Sequence, residues 1–293
     1  MTTENIKDRY ELAIIGCGPA GMAAALNAKI RNKDFILLGT EYGGSKLAKA
    51  PQVENYLGFP KISGLELRRH FQEHLQSMDI QAVKQKVNAV YPGSRFTLAL
   101  PEQVIEADAV ILATGVSAQK VFPGEAELLG RGVGYCATCD GPLYRNKSVA
   151  ILAYAAEGEH DANYLAELCT KVYYIPFYKE VGVLDPRLEI RRAAVKSIMG
   201  QNKVEGLELA GETLTVDGVF VVRESLPAEQ LVSGLALEQQ AIKTGPDFST
   251  NIRGLFAAGD CTGSPYQLLK AVGEGATAAL TAIRYLDELK QQK

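Results

Sequence analysis

The sequence predicts an α/β protein with two nucleotide-binding-type domains. Three observations predict this fold class: an apolar run leads into a glycine-rich turn near the N-terminus, a second strand-then-helix pattern starts at residue 148, and the chain ends in a strand and a long helix. Short apolar strands that alternate with helices are typical of parallel sheets. The 293 residues, 47% hydrophobic and 22% charged, suffice for two domains with their own cores and exclude a disordered chain.

The first element is a strand, a turn and a helix. Residues 11–15 are predicted as strand, 22–29 as helix and 35–38 as a second strand, which completes a βαβ unit. The turn between them reads Gly16-x-Gly18-x-x-Gly21. In this pattern the first glycine permits a bend, the second lets a pyrophosphate approach the backbone and the third allows close helix packing. The unit is therefore predicted to be Rossmann-like, with a merely structural turn as the alternative.

The residues around this turn are candidate ligands of a dinucleotide. Pro19 and Ala20 lie in the turn, ahead of the helix whose N-terminus would face phosphates. Glu41, about twenty residues beyond Gly21, is the position where a carboxylate could hold a ribose.

The remaining elements alternate in the same way. Residues 108–113 are predicted as a buried parallel strand, and residues 148–152 begin a strand-then-helix segment that ends near Leu168. Residues 254–260 are strand-like, and residues 273–289 have alanine and leucine at helical spacing.

Charge and hydropathy limit the partners. Lys and Arg total 31 against 34 Asp and Glu, so no overall basic field favours nucleic acid or an anionic membrane. The first ten residues are polar, and no apolar run approaches the roughly 18 residues of a membrane span. We therefore expect a cytoplasmic protein.

The pair Cys136-x-x-Cys139 is the clearest chemical signal. Its spacing is that of a reactive dithiol or half a zinc site, and no second CxxC is present, so we favour redox chemistry over a metal or inert thiols. Asp140 could transfer a proton during exchange. Cys17, Cys169 and Cys261 are expected to be small buried residues. His70 and His74 have the spacing of a metal pair but lack an evident third ligand, so no metal is predicted.

Several motifs together resemble the low-molecular-weight thioredoxin reductases. They are the turn at 16–21, residues 53–60 (VENYLGFP), 113–115 (ATG), 136–140 (CATCD) and 259–260 (GD). The resemblance covers nearly the whole chain. It implies an FAD-binding domain at 1–116 and 229–293, with a smaller Rossmann-like central domain at 117–228 inserted in it that carries the dithiol.

The resemblance also implies the cofactor contacts. Gly43 and Gly44 would approach FAD, Asn55 would lie beside the isoalloxazine and Asp260 would bond the ribityl chain. The family has an arginine where this chain has Tyr266. The residues expected at FAD are Gly16, Gly18, Pro19, Ala20, Gly21, Glu41, Gly43, Gly44, Asn55, Ala113, Thr114, Gly115, Gly259, Asp260, Tyr266 and Gln267.

The central domain departs from the family pattern at its nicotinamide site. The glycine turn expected after residues 149–152 is replaced by a segment with side chains and two carboxylates, Glu157 and Glu159. Pro176-Phe177-Tyr178 stands where the family has a His-Arg-Arg cluster for the 2′-phosphate. Bare backbone for a pyrophosphate and bidentate arginines are both missing. We therefore expect that NADPH does not bind here.

This combination resembles the ferredoxin-dependent flavin thioredoxin reductases. It implies that ferredoxin donates electrons to FAD, that Cys139 lies nearer the flavin, that Cys136 attacks thioredoxin and that Asp140 is the proton donor. A homodimer is also implied. Acidic ferredoxins favour a basic surface, and residues 42–70, with Lys46 and Lys49, and 187–203 are the candidate stretches. Hinges are expected near 115–118 and 224–229.

Three rival functions stay open on the sequence. They are an NAD(P)H-dependent disulfide reductase with an atypical nucleotide site, a diflavin oxidoreductase with a second flavin in the central domain, and a flavin redox sensor that does not turn over.

Overall fold

A computed structural model describes residues 6–39, 42–43, 47–48, 50–116, 121–135, 137–154, 156–223 and 228–291. The chain divides into two compact units, Met1–Ser117 with Leu226–Lys293, and Ala118–Ser225. We call them the outer unit and the central unit.

The strands alternate with helices in the order that an α/β chain requires. In chain order the strands are β1 (Arg9–Ile15), β2 (Phe35–Leu38), β3 (Ala82–Val83), β4 (Ala89–Tyr91), β5 (Phe96–Ala99), β6 (Val104–Leu112), β7 (Val133–Gly134), β8 (Ser148–Ala153), β9 (Lys171–Pro176), β10 (Glu189–Ile190), β11 (Val195–Met199), β12 (Gly206–Leu209), β13 (Thr213–Thr215), β14 (Gly218–Val222), β15 (Leu237–Glu238), β16 (Ala241–Ile242) and β17 (Leu255–Ala257). The α-helices are α1 (Pro19–Ile30), α2 (Gly64–Ser77), α3 (Ala137–Asp140), α4 (Glu157–Leu168), α5 (Ala228–Leu231) and α6 (Leu268–Gln291). Short 3-10 helices lie at Gly141–Tyr144 and Asp260–Thr262.

A seven-stranded sheet forms the core of the outer unit. Its order is β3-β2-β1-β6-β5-β4, and β17 also pairs with β6. The strands β2, β1, β6 and β17 are parallel, and Ile15, Leu112 and Ala257 lie in register across three of them. The carboxyl ends of these strands therefore lie side by side. This is the edge at which open α/β sheets bind ligands.

Two helices rich in small residues cover this sheet. Most of α1 is buried, and its buried residues are small or slender: Ala20, Gly21, Met22, Ala23, Ala24, Ala25 and Ala28. A Cβ at Gly275 of α6 would lie 2.1 Å from the Ala20 carbonyl oxygen, so the two helices touch backbone to backbone. The helix α6 begins at Leu268, ahead of the predicted start at Gly273, because Leu268 and Lys270 continue its helical register.

The central unit contains a parallel sheet of its own. Its five strands have the order β10-β9-β8-β14-β7, with β8 between β9 and β14, and a separate antiparallel sheet is formed by β11, β12 and β13. The strands β8 and β14 are buried along their length except Ser148 at the start of β8. The chain connection reverses direction across β8, so the carboxyl ends of β8 and β14 flank the usual ligand crevice.

The predicted fold class, α/β with two Rossmann-like sheets, is confirmed. The strands predicted at 11–15, 35–38, 108–113 and 148–152 fall within or overlap β1, β2, β6 and β8. The helix predicted at 22–29 lies within α1, and the one predicted to end near Leu168 is α4. Within the described ranges, no helix is both long and apolar enough to span a bilayer. Among the same residues, no cluster of three or more His, Cys, Asp or Glu is placed to hold a metal ion.

Candidate active site

Of the three glycines in the turn after β1, two have no room for a side chain and one has. A Cβ at Gly16 would lie 2.2 Å from the Ala113 carbonyl oxygen, and one at Gly21 would lie 1.8 Å from the Gly16 carbonyl oxygen. A Cβ at Gly18 would meet no heavy atom within 4 Å. Gly16 and Gly21 are thus required by packing, whereas Gly18 leaves its space free for a ligand.

Helix α1 starts in the form that suits an anion. Gly18 is its N-cap residue, Pro19 follows in the first turn, and no side chain caps the helix. Backbone N–H groups and the positive end of the helix dipole therefore remain for phosphate oxygens. The turn fits the pyrophosphate of a dinucleotide.

Cys17 holds the second edge of this turn. A Cβ at Gly39 would lie 2.5 Å from its sulfur, and the Gly43 N–H donates to its carbonyl oxygen at 2.8 Å. Burial raises the pKa of the Cys17 thiol to about 12, so it is a packing residue and not a thiolate. Glu41 and Gly44, both expected at the cofactor, lie outside the described residues.

Residues 113–115 continue β6 into the same edge. The Ala113 N–H donates to the Ile15 carbonyl oxygen at 2.7 Å, which joins the end of β6 to the end of β1. Gly115 has φ +69°, a conformation that favours glycine, and its Cβ position is open. Cys261 is buried against this edge, with its pKa raised to about 11 by burial. Cys169, expected to be buried, is only partly so.

A lysine and a glutamate shape the turn after β17. The Glu274 carboxylate accepts hydrogen bonds from the Gly259 N–H and the Thr262 hydroxyl, each at 2.8 Å. The Lys270 ammonium lies 3.0 Å from Glu274 Oε1 and donates to the Gly263 carbonyl oxygen at 3.0 Å. This pair fixes the turn that carries Asp260. Sequence reasoning missed it, because the predicted helix began at Gly273 and did not include Lys270.

Asn55 and Gln267 are joined by a hydrogen bond. The Asn55 amide donates to Gln267 Oε1 at 3.0 Å. Tyr266, which stands where the family has arginine, is 58% exposed. The loop that carries Asn55 is closed by the bridges Val53↔Ile62 and Tyr56↔Phe59. Residues expected at the flavin ring are thus brought together from distant segments of the outer unit.

The dithiol segment follows β7 in the chain and continues into two short helices. Cys136 lies outside the described residues, as does the Cys139 side chain, while the backbone of Cys139 belongs to α3. Burial raises the pKa of the Asp140 carboxyl, and a Cβ at Gly134 would lie 2.9 Å from Asp140 Oδ2. A raised pKa lets a carboxyl keep its proton to a higher pH than usual, which favours the role of proton donor.

Aromatic rings stand at the ligand crevice of the central unit. Tyr154 directly follows β8, and its N–H donates to the Val222 carbonyl oxygen of β14 at 2.9 Å. The Tyr154 and Phe177 ring centroids are 4.5 Å apart, and Phe122 stacks 5.9 Å from Phe177. The Arg223 guanidinium lies 5.5 Å from the centre of the Tyr154 ring. Side chains therefore stand at the edge where a dinucleotide needs bare backbone.

The first turn of α4 carries the Glu159 carboxylate, which accepts two hydrogen bonds within the central unit. Glu159 Oε1 accepts from the Tyr178 hydroxyl at 2.7 Å and from the Gly182 N–H at 2.9 Å. The Arg192 guanidinium donates to the carbonyl oxygens of Tyr178 and Lys179 at 3.0 and 3.1 Å. This carboxylate would repel a pyrophosphate at the helix N-terminus.

The second candidate basic stretch, 187–203, is largely neutralised within the unit. Arg187 pairs with Asp185, Arg191 with Glu189 and Lys196 with Glu208. The expectation of a free basic surface there is wrong for these three residues, because acidic partners from neighbouring turns and strands face them. Lys46 and Lys49 lie outside the described residues, as do residues 117–118 and 224–227 of the predicted hinges.

Known proteins match the chain over most of its length. Residues 10–175 match the family described as pyridine nucleotide-disulphide oxidoreductase. Thioredoxin reductase from Ureaplasma parvum is 30% identical, over 94% of this chain and 97% of the relative. The F polypeptide of alkyl hydroperoxide reductase from Escherichia coli is 32% identical over 98% of this chain, which spans 60% of that protein's length.

A solved structure is more similar still. The crystal structure of a ferredoxin-flavin thioredoxin reductase from Clostridium acetobutylicum has 50% sequence identity and a TM-score of 0.90, over 97% of this chain and 99% of that one. The homologues of the family are FAD-binding flavoproteins, as the resemblance to the thioredoxin reductases implied. The chain therefore belongs to the pyridine nucleotide-disulphide oxidoreductase family, and it is a flavoprotein disulfide reductase of the thioredoxin reductase type.

Proposed function

We propose that this protein takes electrons from reduced ferredoxin and delivers them, through FAD and the Cys136/Cys139 dithiol, to thioredoxin. The observation that carries the proposal is the group of rings at Tyr154, at the edge where a nicotinamide dinucleotide would bind. The solved relative named as a ferredoxin-flavin thioredoxin reductase supports it.

The blocked crevice argues against a nucleotide donor on two grounds. Tyr154 and Phe177 lie in contact, so a pyrophosphate would have to displace rings rather than water. Glu159 adds negative charge at the first turn of α4. Arg192, which follows β9 in the chain, donates its hydrogen bonds to backbone carbonyl oxygens. Losing a charge-assisted bidentate contact typically costs a few kcal/mol.

The outer unit supplies the FAD site. Gly18 and the N-terminus of α1 would hold the pyrophosphate, Asp260 on the turn fixed by Lys270 and Glu274 would hold the ribityl chain, and Asn55 with Gln267 would contact the ring. FAD, when bound, can accept electrons singly and deliver them to a disulfide as a pair. This capacity is what a one-electron donor requires.

The dithiol performs the exchange with thioredoxin. The Cys136 thiolate attacks one sulfur of the thioredoxin disulfide, and the thiolate released on thioredoxin takes the Asp140 proton. The Cys139 thiol returns a proton to Asp140 and attacks the Cys136 sulfur, which releases the second thioredoxin thiolate. The Cys136/Cys139 pair ends as a disulfide, and thioredoxin ends reduced by two electrons.

Docking of an acidic ferredoxin fits the stretch at 42–70 better than that at 187–203. The sequence of 42–70 holds Lys46, Lys49, Lys61, Arg68 and Arg69 against Glu54 and Glu66. Three basic residues of the other stretch pair with acidic residues, compared with Arg69, which pairs with Glu73, in this one. Electrostatic steering should therefore act on the outer unit, beside the proposed flavin site.

Anaerobic mixing tests the proposal. The oxidised holoprotein is mixed with reduced ferredoxin, with NADPH or with NADH, and the flavin absorbance and new thioredoxin thiols are followed. We expect bleaching and thiol formation with ferredoxin alone. Equal rates with either nucleotide would establish the NAD(P)H-dependent alternative instead.

Two further measurements separate the remaining alternatives. Flavin released on denaturation should equal one per chain, whereas a diflavin enzyme would release two. The parent should reduce thioredoxin over many turnovers and a Cys136→Ser variant should not, whereas a redox sensor would show no turnover in either protein. A homodimer is proposed from the family resemblance and is checked by sedimentation of the holoprotein.

A further inference from the structure

Glu125 joins three segments of the central unit at one carboxylate. Its Oε2 accepts from the Phe122 N–H at 2.9 Å, and its Oε1 accepts from the Tyr135 hydroxyl at 3.1 Å. Arg223 donates to both oxygens, at 2.5 and 2.8 Å. The side chains of Glu125 and Arg223 are both 0% exposed.

The three partners occupy special places in the chain. The central unit spans Ala118–Ser225, so Phe122 and Arg223 lie close to its two chain ends. Tyr135 directly precedes Cys136 and is buried. One carboxylate therefore connects both ends of the unit with the residue before the dithiol.

The cluster is built to be rigid. A buried carboxylate is costly unless its oxygens are hydrogen-bonded, and here a bidentate guanidinium and two neutral donors satisfy them. The Arg223 guanidinium is in turn packed over the Tyr154 ring, at 5.5 Å from its centre. In a low-dielectric interior, the four hydrogen bonds to the Glu125 carboxylate favour one arrangement of the groups that donate them.

We propose that Glu125 is a positioning residue for the dithiol. Through the Tyr135 hydroxyl it holds the residue that directly precedes Cys136, and we expect the reactivity of the Cys136 thiol to depend on this hold. The inference rests on the exchange reaction proposed above for Cys136 and Cys139, but it does not depend on which donor reduces the flavin.

The removal of one hydroxyl tests this role. Tyr135→Phe keeps the ring and leaves Glu125 with Arg223 and the Phe122 N–H, so the unit should fold. In a Cys139→Ser background, we would measure the rate at which iodoacetamide alkylates Cys136 as a function of pH, with the labelled peptide quantified by mass spectrometry. Cys17 and Cys261 should stay silent, because burial raises their thiol pKa values to about 12 and about 11.

The expected result is a shift of the pH profile. The pH at which Cys136 alkylation reaches half its maximal rate should differ between Tyr135→Phe and the parent. Its alkylation rate at neutral pH should change by about threefold to tenfold, the worth of one hydrogen bond. Glu125→Gln should shift the profile in the same direction, provided that this variant folds.

The matched control is Tyr174→Phe. Tyr174 is also buried, and its hydroxyl lies 2.6 Å from that of Tyr178, so its hydrogen bond does not involve Glu125 or Tyr135. It should lower the melting temperature without moving the Cys136 profile. A Tyr135→Phe profile that coincides with the parent's, or an equal shift in Tyr174→Phe, would overturn the inference. A parent that accepts electrons from NADPH would refute the proposed donor and leave this result unaffected.

Discussion

Asn55 and Gln267 are hydrogen-bonded at 3.0 Å although 212 positions separate them in the sequence. Asn55 lies on a loop pinned by two isolated bridges, and Gln267 lies directly before helix α6. The bond joins the two segments of chain that make up the outer unit, at the place proposed for the flavin ring. Each of the two amide side chains is therefore held in its orientation by the other.

Gln267→Leu should weaken FAD binding. The substitution removes the acceptor of the Asn55 amide, so Asn55 loses its fixed orientation toward the ring. The Kd for FAD should rise by about threefold to tenfold, the contribution of one hydrogen bond. Fluorescence titration of the apoprotein with FAD measures it. Gln52→Leu, on the same loop but paired with Glu54, should leave the Kd unchanged; an equal rise in both variants would refute the assignment.

Gly18→Ala and Gly21→Ala should separate cofactor binding from folding. A Cβ at Gly18 would meet no protein atom within 4 Å, so the apoprotein should keep its stability while FAD affinity falls tenfold or more, about 1.4 kcal/mol. A Cβ at Gly21 would lie 1.8 Å from a carbonyl oxygen and should destabilise the apoprotein by about 1–3 kcal/mol. Denaturant titration and FAD titration of both variants give the four numbers. Tight FAD binding by Gly18→Ala would exclude the pyrophosphate from this turn.

Asp140→Asn should remove one limb of the pH profile of thioredoxin reduction. Burial raises the pKa of this carboxyl above its ordinary 3.8, so the protonated form persists to higher pH in the folded protein. The proton-donating step should therefore be fastest at low pH and slow as the pH rises through the raised pKa. Single-turnover rates of the reduced enzyme with thioredoxin disulfide, measured against pH, should lack this limb in the variant.

The same carboxyl contributes to stability with a definite sign. Because its folded pKa is raised, its protonated form stabilises the fold below about pH 4, and this contribution is lost as the pH rises through the folded pKa.

The control for the pH profile of thioredoxin reduction is Asp185→Asn. Arg187 lowers the pKa of Asp185 to about 2, so this group does not titrate in the assay range. A limb present in both variants would assign the titration to another group.

Arg223→Leu should destabilise the central unit strongly. The change leaves the Glu125 carboxylate buried without its ion-pair partner, and breaking such a pair costs about 3–5 kcal/mol. Arg187→Leu breaks an exposed pair with Asp185 and should cost at most about 1 kcal/mol. Urea unfolding of the two variants measures the difference. Similar losses in both would mean that solvent or a rearranged partner compensates Glu125.

Local patterns predict those parts of the fold in which neighbours in sequence act together. The strand, turn and helix at 11–29 are predictable because each glycine of the turn has a local steric reason, as the closed positions of Gly16 and Gly21 show. The short antiparallel strands β4, β5 and β11–β13 are not predicted, because their runs of three to five residues lack a distinctive period. The predicted start of α6 lies five residues late, at Gly273 in place of Leu268.

The sequence by itself determined the α/β fold class, the dinucleotide turn and the CxxC pair, because each is a matter of residue type at fixed short spacing. The loss of a phosphate-binding segment after β8 was implied by comparison with the pattern of the family that the chain resembles. Only the tertiary structure decided that Glu125 and Arg223 are buried together, that Lys270 and Glu274 fix the turn of Asp260, and that Asn55 meets Gln267. Charged and amide side chains favour water unless a partner arrives from elsewhere in the chain, and that partner is known only once the strands are paired.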